Sequence, residues 1–157
     1  MKLSRTVAYA LQATLQLARR ESEAPVPCSR LAAEGEMPER FLLQILRNLV
    51  AHGILQSTRG VEGGYTLGRA PEEISLLEVI EAIDGPLLAI IPSGQGLPQE
   101  SKARVERALG EVTAAAREGL EATKLADLLP APARKTAAGA PAVPSLGPSG
   151  RGRRASR

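Results

Sequence analysis

Between residues 28 and 67 the chain carries two periodic helical stretches, each closed by a glycine, and then two short alternating stretches around a glycine-rich tip. Residues 28–34, CSRLAAE, suit a short helix with Leu31 and Ala32 turned inward. Gly35 stops it, and EMP makes a tight connection. Pro38 then stands at or just before the first turn of a second helix, where its missing N–H costs little. That helix runs to about His52, and Gly53 terminates it. A short helix, a glycine-containing turn and a longer helix make a helix-turn-helix. ILQST (54–58) follows as a strand, RGVEGG (59–64) as a tip and YTL (65–67) as the returning strand, where Tyr65 and Leu67 alternate with Thr66. A helix-turn-helix followed at once by a β-hairpin is a winged helix. The predicted fold is mainly α with a small β-hairpin wing.

The flanks fit that frame. Ser4 can cap a helix running to about Arg20, with Val7, Leu11, Leu15 and Ala18 as its buried stripe and Tyr9, Gln12, Gln16 and Arg19 on other faces. Residues 75–83 open with a capping box, Ser75 and Glu78, and Leu76, Ile80 and Ile83 form one apolar stripe. Residues 85–100 are rich in turns and hold no His or Cys. A long helix is predicted from about Ser101 to Ala122, with Val105, Leu109, Val112, Ala116 and Leu120 as its inward positions. Much of that stripe is small, which permits close helix–helix approach but buries little area, so the helix wants a partner. Residues 123–129, TKLADLL, add a short apolar hook. Residues 130–157 hold Pro, Gly, Ala and Arg with almost no large apolar residues, and are expected to be disordered.

Charge divides the chain. Residues 1–69 hold nine Lys or Arg against six Asp or Glu, residues 70–129 five against eleven, and residues 130–157 six against none. The first part can meet a polyanion, whereas the middle would repel one and suits a protein contact. The basic tail is either a solvated appendage or a source of non-specific affinity for nucleic acid. No apolar run approaches the ~20 residues that span a bilayer, and the start of the chain lacks a secretory pattern. A cytoplasmic location is the default expectation. The single cysteine excludes an internal disulfide, and 2% aromatic residues argue against binding single strands by stacking. No nucleophile–base pair, metal spacing or phosphate loop is present, so an enzyme is not expected.

On a helical wheel Phe41, Leu42, Ile45, Leu46, Leu49 and Val50 fill one side of the second motif helix. Arg40, Gln44 and Arg47 cluster opposite, with Leu43 among them. Such a face can be ordinary solvated surface. It can also enter a DNA major groove, where Arg pairs with guanine, Gln with adenine and an exposed Leu meets a thymine methyl. The hairpin favours the second alternative. Gly60, Gly63 and Gly64 are more glycine than a turn needs, and a flexible tip carrying Arg59 suits insertion into a narrow minor groove.

With these motifs in order, MKLSRTVAYAL, LAAEGEMPERFLLQILRNLVAHGIL, STRGVEGGYTL, EEISLLEVIEAIDGPL and TKLADLL, the chain resembles the Rrf2 family of winged helix-turn-helix transcriptional regulators over about residues 1–129. The resemblance implies a homodimer held by crossed long helices, each subunit reading half of a near-palindromic operator. It implies that Arg59, Gly60, Gly63, Gly64 and Tyr65 form the wing, that Phe41, Leu42, Gln44, Ile45 and Leu49 belong to the recognition helix, and that Tyr9 and Arg5 lie near the phosphate backbone. Position 43, often polar and base-reading in the family, is Leu43, so no relative's operator transfers. Sensor members place three cysteines between the helix after the wing and the long helix. Residues 85–100 have none, which implies the branch without an iron–sulfur cluster. Cys28 is then a small core residue, with a redox switch as the lesser alternative, and His52 a surface or cap residue.

The expected organisation is a DNA-binding domain over 1–84, a linker and dimerisation helix over 85–129, and a basic tail over 130–157. The expected function is a dimeric, sequence-specific repressor of a promoter, with no cofactor and no metal, whose partners are double-stranded DNA and its own copy. The expected DNA-contacting set is Arg5, Tyr9, Pro38, Glu39, Arg40, Leu43, Gln44, Arg47, Arg59, Gly60, Gly63 and Gly64. The alternative is a winged-helix protein-interaction module with only non-specific DNA affinity. The apolar residues 86–91 are either core or the seat of a small ligand.

Overall fold

Helix α1, Arg5–Ala18, starts where the Ser4 hydroxyl accepts the Val7 N–H at 3.1 Å, the cap that the sequence predicts. The computed structural model describes residues 2–20, 24–89, 96 and 98–130. The expected basic tail beyond residue 130 and the end of the 86–91 segment lie outside them. Helices α2 (Cys28–Glu34) and α3 (Glu39–Ala51) form the helix-turn-helix, followed by β1 (Leu55–Thr58) and β2 (Gly64–Leu67). Helix α4 spans Leu76–Asp84, α5 spans Gln99–Ala122, and a last tight turn of helix covers Leu125–Leu128.

The strands pair antiparallel, with Leu55 opposite Leu67 and Thr58 opposite Gly64. Val26, between α1 and α2, adds a one-residue third rung. It exchanges both backbone hydrogen bonds with Tyr65, at 3.0 and 2.9 Å. The wing is thereby stitched to the entrance of the helix-turn-helix.

The core lies between α1, α3 and α4 and is capped by the hairpin. Leu31, Leu42, Ile45, Leu46, Leu49, Ile54, Leu55 and Ile74 are fully buried in it. The buried side of α1 is Val7, Ala10, Ala13, Thr14 and Leu17, not the predicted Val7–Leu11–Leu15–Ala18 stripe. Leu11 and Leu15 are half-buried at its rim. Small residues take the centre because α3 and α4 both cross α1 closely, and Thr14 satisfies its hydroxyl within the helix, donating to the Ala10 and Leu11 carbonyls. Helix α4 has its full capping box at Ser75 and Glu78. Its buried residues are Leu77, Val79, Ile80 and Ala82; of the predicted stripe only Ile80 is among them, with Leu76 and Ile83 half-buried, because α1, α3 and α5 all pack on it.

Helix α5 is roughly 36 Å long at 1.5 Å per residue and buries no residue in the single chain. Of its predicted inward positions, Val105 and Leu109 are 42% exposed and Val112 68%, whereas Ala116 and Leu120 are half-buried. The chain then returns to the core. The Leu76 N–H donates to the Thr123 carbonyl and the Leu125 N–H to the Ile74 carbonyl, and the Leu125 side chain is completely buried. Arg117 on α5 reaches the Glu81 carboxylate on α4 and, at 3.3 Å, the Leu87 carbonyl.

Candidate nucleic-acid interface

Helix α3 presents the predicted division almost unchanged. Leu42, Ile45, Leu46 and Leu49 are buried, whereas Arg40, Gln44 and Arg47 are exposed along one side. Pro38 is the N-cap residue and Glu39 the first helical residue, both exposed. Two assignments change. Leu43, predicted to be fully outward, is half-buried. Phe41, predicted on the buried side, is 42% exposed and rests edge-on against Tyr9 of α1, the ring centroids 5.9 Å apart and the planes at 77°. Tyr9 is half-buried, and Arg5 is exposed in the first turn of α1.

The wing tip is built more tightly than its composition implies. Gly60 has φ +114° with open space where a Cβ would stand, so it is required for its backbone angle. Gly63 and Gly64 have no positive φ and are required for space. A Cβ on Gly63 would stand 2.3 Å from the Thr58 carbonyl oxygen, and one on Gly64 2.4 Å from the Val26 carbonyl. Gly63 and Gly64 therefore correct the predicted reason for their presence, since one packs the turn and the other admits the third rung, while Gly60 alone supplies backbone freedom. Arg59 and Val61 project exposed from this frame.

Several of the described cations are held by carboxylates. Arg20 and Arg30 share Glu34, Arg69 binds Glu78, Arg117 binds Glu81, and Lys102 and Arg104 pair along α5. Arg5, Arg40, Arg47 and Arg59 make no ion pair among the described residues. These four stand on the exposed side of α3, on the wing and at the start of α1; Lys2, Arg19, Arg107 and Lys124 also make no ion pair among the described residues.

Cys28 begins α2 half-buried, its Sγ 3.8 Å from the Glu39 carbonyl oxygen. Burial, and then the Glu39 charge, push its thiol up. His52 ends α3 exposed, and its Nδ1 donates to the Asn48 carbonyl at 2.8 Å, as a cap residue would. Among the described residues no three His, Cys, Asp or Glu side chains come together as a metal site, and no helix is long and apolar enough to cross a membrane.

Residues 3–131 match the family described as Rrf2, iron-dependent transcriptional regulator. The chain is 40% identical over 133 residues to a Mycobacterium tuberculosis protein named as an HTH-type transcriptional regulator, Rv1287, covering 82% of this chain and 81% of that one. It is 30% identical over 130 residues to the HTH-type transcriptional regulator CymR of Bacillus subtilis, covering 82% and 89%. The solved structure of B. subtilis CymR, described as the global cysteine regulator, matches the fold with a TM-score of 0.69 over 82% of this chain and 95% of that one. The structure of T. potens IscR matches with a TM-score of 0.61 at 28% identity, over 82% and 85%.

Proposed function

The chain belongs to the Rrf2 family of transcriptional regulators, and from that premise we propose that it is a homodimeric, sequence-specific DNA-binding repressor that works in the cytoplasm by occupying a promoter. The observation that carries this reading is the partition of charge. Arg40, Arg47, Arg59 and Arg5 are exposed, carry no carboxylate partner among the described residues, and stand on α3, the wing and the start of α1, whereas Arg20, Arg30, Arg69 and Arg117 are each tied to a glutamate. Arg40, Gln44 and Arg47 lie on a helix whose other side is buried, so the helix can enter a major groove without exposing its core. Arg59 stands on a wing that reaches the flanking minor groove, and Arg5 with Tyr9 approaches phosphate. Pro38, Glu39, Leu43, Gly60, Gly63 and Gly64 complete the contact surface, the glycines by bringing the wing backbone close.

The exposed Val105, Leu109 and Val112 on α5 support self-association, since a single chain leaves them against water. Two subunits place two recognition helices on half-sites about 34 Å apart, one turn of DNA. Regulation proceeds without an iron–sulfur cluster. Such a cluster needs several thiolates, and the chain holds one cysteine and one histidine. The cysteine is held as a thiol, so the residues present do not fit that group.

Genomic fragments selected by the purified full chain at two salt concentrations, then sequenced, test the reading. A near-palindrome is expected, and Arg59→Ala should weaken its binding by about 10–100-fold. Val112→Glu should shift sedimentation toward the monomer. Unselective binding that collapses with salt, unchanged by Arg59→Ala and Gln44→Ala, would instead place the chain among protein-interaction modules.

A further inference from the structure

We propose that Phe41, held by Tyr9, is a specificity-determining residue that reads a thymine methyl beside the base met by Gln44. The proposal rests on the DNA-binding reading above. Hydrophobicity alone would bury Phe41, yet it is 42% exposed while its neighbour Leu42 is 1% exposed. It is the chain's single phenylalanine and stands in the first turns of α3, the part of a recognition helix that meets base edges. At 100° per residue it lies about 60° round the helix from Gln44 and about 100° from Arg40, at the border of the polar sector.

The edge-on contact with Tyr9 gives Phe41 a fixed support from a second helix. A T-shaped pair is favoured by the ring quadrupoles and biases the Phe41 ring toward this orientation. The exposed part of that ring offers apolar surface and no hydrogen-bonding atom. In the major groove the thymine C5-methyl is the apolar feature that separates A·T from the other pairs. Tyr9 then has two separable parts: a ring that positions Phe41 and a hydroxyl free for phosphate.

Thymine-to-uracil scanning of the selected operator removes one methyl at a time and leaves every hydrogen bond in place. With the wild-type full chain, one thymine per half-site should lose about fourfold in affinity on becoming uracil, the worth of one buried methyl. Phe41→Ala should abolish that difference between thymine and uracil. Tyr9→Phe should weaken both operators equally and preserve the difference, whereas Tyr9→Ala should reduce it. The proposal is overturned if wild type tolerates uracil everywhere, or if Phe41→Ala leaves the difference intact, which would hand the methyl contact to Leu43. It falls together with the DNA-binding reading if wild type selects no operator at all.

Discussion

Gly64→Ala separates two physical reasons for a glycine in the wing. Gly64 lies in β2 with no positive φ. If its value were backbone freedom, alanine would be neutral or would stabilise by about 0.4–1 kcal/mol through a less free unfolded chain. The structure predicts the opposite sign. An added Cβ would stand 2.4 Å from both the carbonyl carbon and the carbonyl oxygen of Val26, and 2.8 Å from the Pro27 nitrogen. These are backbone atoms, so no side chain can swing aside. Relief to an ordinary contact needs a displacement of about 1 Å, which breaks the two Val26–Tyr65 hydrogen bonds.

Each of those bonds is worth about 0.5–1.5 kcal/mol net, and the overpacking adds about 1–3 kcal/mol. Less the unfolded-state gain, the loss is about 1–5.5 kcal/mol. Urea unfolding of wild type and variant, at one protein concentration because the stability of the proposed dimer would depend on it, measures the difference. Operator affinity should fall with it, since the wing carrying Arg59 is no longer tied to the helix-turn-helix. An unchanged or raised midpoint would refute the packing account and return the glycines to a role in flexibility.

Leu125→Ala removes a completely buried side chain from the core and should cost about 2–5 kcal/mol in the same assay. A cost below about 0.5 kcal/mol would mean that the segment after α5 does not dock. Burial alone would raise the Glu81 carboxyl, but the Leu87 N–H and the Arg117 guanidinium more than offset it. Glu78 is likewise raised by burial and held down by its bonds from Ser75 and Arg69. Both folded values lie below the unfolded ones. The stability they contribute is therefore complete above the ordinary glutamate value of about 4.3 and lost as pH falls through the folded values. Urea midpoints between pH 7 and pH 3, about the span of that titration, should drop less steeply for Glu81→Gln than for wild type. Cys28, kept as a thiol at neutral pH by burial and Glu39, should alkylate several-fold more slowly than free cysteine until the chain is unfolded.

The parts of the fold legible in the sequence are those set by neighbours along the chain. The Ser4 cap, the Ser75–Glu78 box, the limits of α2 at 28 and 34 and the two hairpin strands all rest on signals within a few residues. What stayed hidden depends on contacts between distant segments. Val26 has no strand pattern around it and becomes a rung only because Tyr65 arrives opposite. Ala10, Ala13 and Thr14 look like poor core residues until two helices cross α1 there. Leu125 looks like the end of an appendage until the backbone bonds at Ile74 and Thr123 return it to the core.

The candidate site divides in the same way. Arg40, Gln44 and Arg47 share a side because one helix carries all three, so a wheel finds them. The wheel misplaces Phe41, because hydrophobicity cannot tell the centre of a buried arc from its rim. Leu42, Ile45, Leu46 and Leu49 already fill the centre at 0–1% exposure. A fifth large side chain displaced from that arc must find apolar contact elsewhere, and the contact available is a ring on another helix. The pairing of Phe41 with Tyr9 spans thirty-two positions of chain, and neither residue's neighbours announce it. The residues proposed to meet DNA through charge are thus readable one helix at a time, whereas the proposed apolar contact depends on how α1 meets α3.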